Sequence, residues 1–158
     1  MTKEKVYAQN KKARHRYEIL ENYEAGIDLE GHEVKAIRSG NASLKGSFVT
    51  FTEGEAFINN MHIGQYKYSR DIIEYDPERK RRLLLKRSQI NYLRGKTSQP
   101  GLTVVPLSLY NSGQNIKAEI ALVKGKTKHS KKEDLKEKDQ KRRAQRAAKE
   151  RSTRYGQQ

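Results

Sequence analysis

Six or so short segments with strand-like alternation, a few short helical stretches, and glycine turns between them predict a mainly β fold. That many strands in the first 125 residues suits an OB-like antiparallel barrel with short accessory helices. Residues 126–158 offer little apolar surface beyond Leu135, three alanines and Tyr155, and are expected to form a basic tail, disordered in isolation.

Residues 1–13 are polar and basic and are expected to be mobile. YEILENY (17–23) and GIDL (26–29) read as strands, with a break at Ala25-Gly26. GHEVKAIR (31–38) sets Val34 and Ile37 at helical spacing, and Gly40 stands where a helix C-terminus favours glycine. SFVTF (47–51) and AFIN (56–59) flank Thr52-Glu53-Gly54-Glu55, a hairpin signal. HIGQYKY (62–68) reads as a further strand. Residues 77–97 read as helical, with Pro77 in the first turn and Leu83, Leu84, Leu85, Ile90 and Leu93 on the buried face. Ser88 is a candidate cap for a second short helix in that stretch.

LTVVPLSLY (102–110) turns at Asn111-Ser112-Gly113 and returns as NIKAEIALV (115–123). On the return strand Ile116, Ala118, Ile120 and Leu122 share one face, with Lys117 and Glu119 opposite. Pro106 inside the outgoing strand predicts a bulge or an edge position.

Charge narrows the partner. The chain has 34 Lys/Arg against 19 Asp/Glu, a formal net charge of +15. Residues 126–154 hold 13 cations and 5 acids, and the remainder still carries a net +7. Such a balance calls for a polyanion. A membrane surface is disfavoured, because no long apolar run exists and the tail has no apolar face to insert. Cysteine is absent, which excludes disulfides and zinc fingers. The first twenty residues lack a signal-peptide core, so a cytoplasmic protein is expected.

Catalysis finds little support. Two Gly-Lys-Thr triplets, at 95–97 and 125–127, would need a glycine five residues upstream to form a phosphate loop; Ile90 and Ile120 stand there instead. His15, His32, His62 and His129 show no metal-ligand spacing, so neither metal nor cofactor is expected. By spacing alone Glu24 reads as a solvated turn acid.

The basic elements suit RNA. NKKARHRY (10–17) packs Lys11, Lys12, Arg14 and Arg16 with His15 and Tyr17, a mixture able to grip phosphates and stack bases; a merely solubilising arm has the same composition. ERKRRLLLKR (78–87) reads as an amphipathic helix with a solvated basic face. In the tail, Ser130 and Glu133 form a capping-box pattern, and Glu137–Lys141 and Asp139–Arg143 are helix-favouring pairs. Residues 130–151 are therefore a latent helix about 33 Å long. Without a packing partner it should stay mostly unfolded, and fold against a phosphate-lined channel.

Taken in order, NKKARHRYEI, NYEAGIDLEGHEVKAIRSGNASLKGSFV, DPERKRRLLLKRSQINYLRG, LTVVPLSLY and AEIALVKGKTKHSKKEDLKEKD resemble the SsrA-binding protein (small protein B) family along nearly the whole chain. The resemblance implies a non-enzymatic adaptor of trans-translation. Its partners would be the tRNA-like domain of transfer-messenger RNA and the small-subunit decoding centre and mRNA channel of a stalled ribosome. Elongation factor Tu and alanyl-tRNA synthetase would associate through the RNA, and the protein would act as a monomer. It also implies RNA-binding roles for Asn10, Glu24, Leu84 and Lys117, and for Lys124, Gly125 and Lys126 at the exit from the last strand. His129 matches the residue that stacks on a decoding-centre base, and Lys131, Lys132 and Lys138 fall in the basic tail pattern. Where the family often has Asp-Lys-Arg after the histidine, this chain has Ser130-Lys131-Lys132, and Lys138 replaces a later arginine. Lysine lacks arginine's planar bidentate geometry. A basic OB-type ribosomal or translation-factor domain is the alternative within translation, and an RNA-processing enzyme the alternative outside it.

Overall fold

The computed structural model describes residues 5–66 and 74–125. Along the chain run β1 (Lys5–Gln9), α1 (Lys11–Arg16), β2 (Tyr17–Ile27), α2 (Gly31–Arg38), β3 (Ala42–Ser43), β4 (Phe48–Thr52), β5 (Glu55–Asn59) and β6 (His62–Ile63). After the gap come β7 (Arg81–Leu84), α3 (Arg87–Thr97), β8 (Leu102–Ser112) and β9 (Asn115–Gly125).

The main sheet follows the order β1-β8-β4-β5-β7-β2-β9, and β9 also pairs with β8. That last pairing closes six antiparallel strands into a ring, as expected for an OB-like barrel. Closure leaves one stretch of edge, the carboxy-terminal half of β8: β4 pairs with β8 only at Val49↔Val104, and β1 covers that half. The short β3 and β6 pair separately.

The β8–β9 hairpin is the longest pairing, running from Leu102↔Lys124 to Ser112↔Asn115. The strands extend closer to the tip than expected, leaving a two-residue turn at Gly113-Gln114. Gly113 has a φ of 63°, the left-handed conformation that glycine adopts freely. The register slips between Pro106 and Ser108, so the proline sits at a bulge as the sequence predicts. Ile116, Ala118, Ile120 and Leu122 all point into the core. Their outward neighbours divide into two groups. Ala121 and Val123 are buried with Val105 and Leu107 beneath Ala13 of α1, whereas Lys117 and Glu119 remain half-exposed. The position of α1 therefore decides how much of the outer sheet face stays open.

The amino-terminal segment is ordered from Lys5 onward, contrary to the expected mobility. β1 pairs with the carboxy-terminal half of β8, from Lys5↔Asn111 to Gln9↔Ser108. That half of β8 has backbone groups not taken up by β4, which pairs with it only at Val49↔Val104. An ordered partner strand satisfies them, a tertiary effect invisible to local composition.

β2 also departs from expectation, running unbroken through Ala25-Gly26. Gly26 marks a close approach, not a turn: a Cβ placed there would stand 3.2 Å from Leu84 Cβ on the neighbouring strand. The expected strand at 62–68 shrinks to His62–Ile63 among the described residues.

The long helix expected over 77–97 is instead strand β7 followed by α3. Arg81 and Leu83 point inward while Arg82 and Leu84 point outward, a period of two. The inward arginine is wholly buried against Glu33 of α2, which is buried too. Arg81 Nε donates to Glu33 Oε2 at 2.7 Å, Tyr75 Oη donates to the same oxygen at 3.0 Å, and Arg79 makes a second ion pair with Glu33. Arg81 also donates to the carbonyls of Met61 (2.7 Å) and Pro77 (3.1 Å). Every arm of the buried cation is thus engaged, which is what its burial requires.

Elsewhere local chemistry behaves as read. α2 closes with Gly40 N–H donating to Ile37 O at 3.0 Å and Asn41 N–H to Ala36 O at 2.9 Å, a Schellman pair, with Gly40 at φ 87°. The β4–β5 hairpin turns at Glu53-Gly54, both at positive φ. At α3, Lys86, not Ser88, occupies the cap, and Gln89 Oε1 accepts the Lys86 N–H at 3.0 Å.

Candidate RNA interface

β7, β2, β9 and β8 present one outward row across the barrel. Leu84 pairs with Gly26, Gly26 with Lys117, and Lys117 with Tyr110. Glu24, two residues before Gly26, shares that face. Lys117 Nζ lies 3.0 Å from Glu24 Oε1, and Tyr110 Oη donates to Glu24 Oε2. Both carboxylate oxygens are therefore occupied. The Tyr110 hydrogen bond, reinforced by Lys117, holds the Glu24 carboxyl below its ordinary pKa. Burial and the same carboxylate push the Tyr110 hydroxyl upward, so it stays a donor. Glu24 is a bracket: it fixes the ammonium of Lys117 in place on the sheet.

Leu84, the last residue of β7, points outward and is 51% exposed. The missing side chain at Gly26 lets it lie flat against the sheet. Beside it a groove of about 380 Å³ is lined by Gly26, Leu29, Val34, Leu84 and Lys117. An apolar floor with a cation at the rim can take the face of an unstacked base and the phosphate attached to it.

The face continues toward α1. Glu119 is the cross-strand neighbour of Glu24 and lies 3.7 Å from the guanidinium of Arg14. Arg14 lines a second groove, of about 430 Å³, with Asn10, Lys11, His15, Ser108 and Glu119. Asn10 itself is buried. Its Oδ1 accepts the Ala13 N–H at 3.3 Å, its Nδ2 donates to Pro106 O at 3.0 Å, and its backbone N–H donates to Leu107 O at 2.8 Å. It caps α1 and ties the helix to β8, so it shapes the face without being its contact surface.

The sequence-derived residues thus separate. Glu24, Leu84, Lys117, Lys11, Arg14 and His15 lie along one connected surface, with Asn10 beneath it. Lys12 lines a different groove on the other side of α1. Lys124 and Gly125 lie at the far end of β9, about 24 Å of strand from Lys117 at 3.4 Å per residue. Lys126, His129, Lys131, Lys132 and Lys138 lie outside the described residues. Tyr110, Gly26 and Glu119 also belong to the face; of these, the alternation along β9 puts Glu119 beside Lys117, while nothing local in the sequence marks Tyr110 or Gly26 as part of it. Among the described residues no group of three or more His, Cys, Asp or Glu could hold a metal ion, and no helix is long and apolar enough to cross a membrane.

Similarities to known proteins point the same way. The family described as "SmpB protein" matches residues 7–150. The SsrA-binding protein of a Nitratiruptor species is 52% identical over 147 residues, covering 92% of this chain and 98% of the relative. That of Geobacillus thermodenitrificans is 49% identical, covering 93% and 94%. A chain of the solved structure described as "tmRNA-SmpB: a journey to the center of the bacterial ribosome" is 43% identical, superposes with a TM-score of 0.65, and covers 80% of this chain and 92% of its own length. The fold, the arrangement of the outer face and these similarities lead to one conclusion: the chain belongs to the SmpB family of SsrA-binding proteins.

Proposed function

We propose that this protein is the RNA-binding adaptor of trans-translation: it binds the tRNA-like domain of transfer-messenger RNA and brings that RNA to stalled ribosomes. The observation that carries the reading is the continuous outer face from Leu84 through the Glu24–Lys117–Tyr110 bracket to Arg14. It offers an apolar surface for unstacked bases and fixed cations for phosphates, the combination that structured RNA with splayed loops requires.

In this reading residues 1–125 grip the RNA and residues 126–158 form the tail that enters the vacant mRNA channel. Lys124, Gly125 and Lys126 lead the chain there, His129 stacks at the decoding centre, and Lys131, Lys132 and Lys138 meet channel phosphates. Elongation factor Tu and alanyl-tRNA synthetase join through the RNA, and the protein works as a cytoplasmic monomer. The test is incubation of the purified full chain with labelled transfer-messenger RNA. Retention of intact RNA at modest salt is expected. Indifference to the RNA would remove the reading, and cleavage of the RNA would favour a processing enzyme.

A further inference from the structure

α1 shows two different basic faces. Lys11, Arg14 and His15 line the groove already described, and there the arginine is matched by Glu119. Lys12 and Arg16, four residues apart and so on one side of the helix, line another groove of about 480 Å³. Across it, the loop between β3 and β4 contributes Lys45 and Gly46, and β4 contributes Phe48. The three cations are exposed, no carboxylate lines the groove, and none of the three has an ion-pair partner among the described residues. On the neighbouring face two cations are matched by acids: Lys117 faces Glu24, and Arg14 faces Glu119. Phe48 keeps 39% of its surface in solvent at the groove wall.

Unmatched like charges held together repel one another. The proximity of Lys45, with Arg16 beyond it, depresses the proton affinity of Lys12. An anion between them removes that repulsion, and an exposed ring beside a cation cluster suits a base adjoining a phosphate. We propose that this groove is a second RNA contact, in which Lys12, Arg16 and Lys45 clamp backbone phosphate and Phe48 stacks on the neighbouring base. The inference rests on the RNA-adaptor reading and extends it. α1 then stands between two stretches of RNA, with Asn10, which lines both grooves, as its anchor.

Two sources can supply the phosphate, transfer-messenger RNA or ribosomal RNA, and lysine acylation footprinting of the full chain separates them. The amines of Lys45 and Lys117 are followed by mass spectrometry with the protein alone, with transfer-messenger RNA, and with ribosomes plus that RNA. Shielding of Lys45 by the RNA alone assigns the clamp to transfer-messenger RNA; shielding only with ribosomes assigns it to ribosomal RNA. Lys117 shielded while Lys45 stays reactive in both mixtures overturns the clamp and leaves the adaptor intact. Both amines reactive throughout overturns the two together. As a second readout in whichever mixture shields Lys45, Arg16→Gln/Lys45→Gln should make the log–log salt dependence of binding shallower by about 0.7–0.9 for each phosphate no longer neutralised. Phe48→Leu should weaken binding at least about fivefold. Unchanged slope and affinity in both variants, with native circular dichroism, would also overturn the clamp.

Discussion

Glu33 is the residue whose replacement should tell most about how the barrel holds its shape. It is fully buried, accepts from Arg81, Arg79 and Tyr75, and takes the Glu30 N–H at 3.0 Å. Burial alone would raise its pKa, but the hydrogen bonds from Arg79, Glu30 and Arg81 outweigh it, and the carboxyl is lowered from 4.5 to about 2. That displacement corresponds to about 3 kcal/mol of native-state stabilisation. Glu33→Gln keeps the volume but replaces one acceptor oxygen with a donor and leaves Arg81 buried without a counter-charge. Removal of one partner from a buried pair costs roughly 3–5 kcal/mol, so the variant should lose about that much at pH 7.

The sign of the pH dependence follows from the lowered pKa. The Glu33 contribution is fully present above the unfolded value of 4.5 and is lost as pH falls through about 2. Urea titrations followed by circular dichroism, on wild type and Glu33→Gln at pH 6 and pH 2.5, measure it directly. The difference between the two proteins should shrink by about 2–3 kcal/mol on acidification, since wild type approaches the uncharged state that the variant already has. Other acids titrate in the same range, but they are common to both proteins and cancel. A variant within about 1 kcal/mol of wild type at pH 7, or a difference that does not change with pH, would refute the assignment of a charged Glu33 as the keystone of this network.

Glu24→Ala should release Lys117 and weaken binding of transfer-messenger RNA about fivefold or more in filter binding, with an unchanged circular dichroism spectrum. Lys117→Ala should weaken it comparably and make the log–log salt slope shallower by about 0.7–0.9. Asn10→Ala removes the α1 cap and the tether to Pro106, and should lower stability in urea titrations by about 1–2 kcal/mol. Deletion of residues 129–158 should leave RNA affinity largely intact while abolishing tagging on stalled ribosomes; loss of RNA affinity would contradict the division between grip and tail.

Parts of this design are readable from the chain because the cause is local. Ile116, Ala118, Ile120 and Leu122 alternate with Lys117 and Glu119, and that alternation alone fixes which face of β9 meets the core. Gly40 and Gly54 do the same for one helix end and one hairpin. The misreadings share a different origin. Arg81 looks like a solvent residue until Glu33, 48 positions away, turns out to neutralise it, so a strand passed for the amphipathic first half of a helix. Gly26 looks like a break until Leu84 is seen against it. The amino-terminal arm looks mobile until the unpaired half of β8 is found beside it. Each depends on a partner distant in sequence. The members of the proposed face follow from family resemblance, but their connection does not: the bracketing of Lys117 by Glu24 spans 93 residues.

That bracketing explains how an acid can belong on the surface proposed to meet RNA. A free lysine loses roughly 2 kcal/mol of rotamer freedom when immobilised, and every such loss is subtracted from binding. Glu24 imposes much of it during folding, through a carboxylate itself locked by Tyr110. The cost is partial neutralisation of the cation, which reduces nonspecific attraction to any polyanion. A fixed, half-neutralised lysine beside an exposed Leu84 therefore favours RNA that brings an unstacked base to one particular place over RNA that offers charge alone. Where α1 turns Lys12 and Arg16 toward Lys45, no acid lining the groove restrains them, and attraction is the stronger effect. In the proposed arrangement the two sides of one short helix thus divide the work between recognising a shape and holding a backbone.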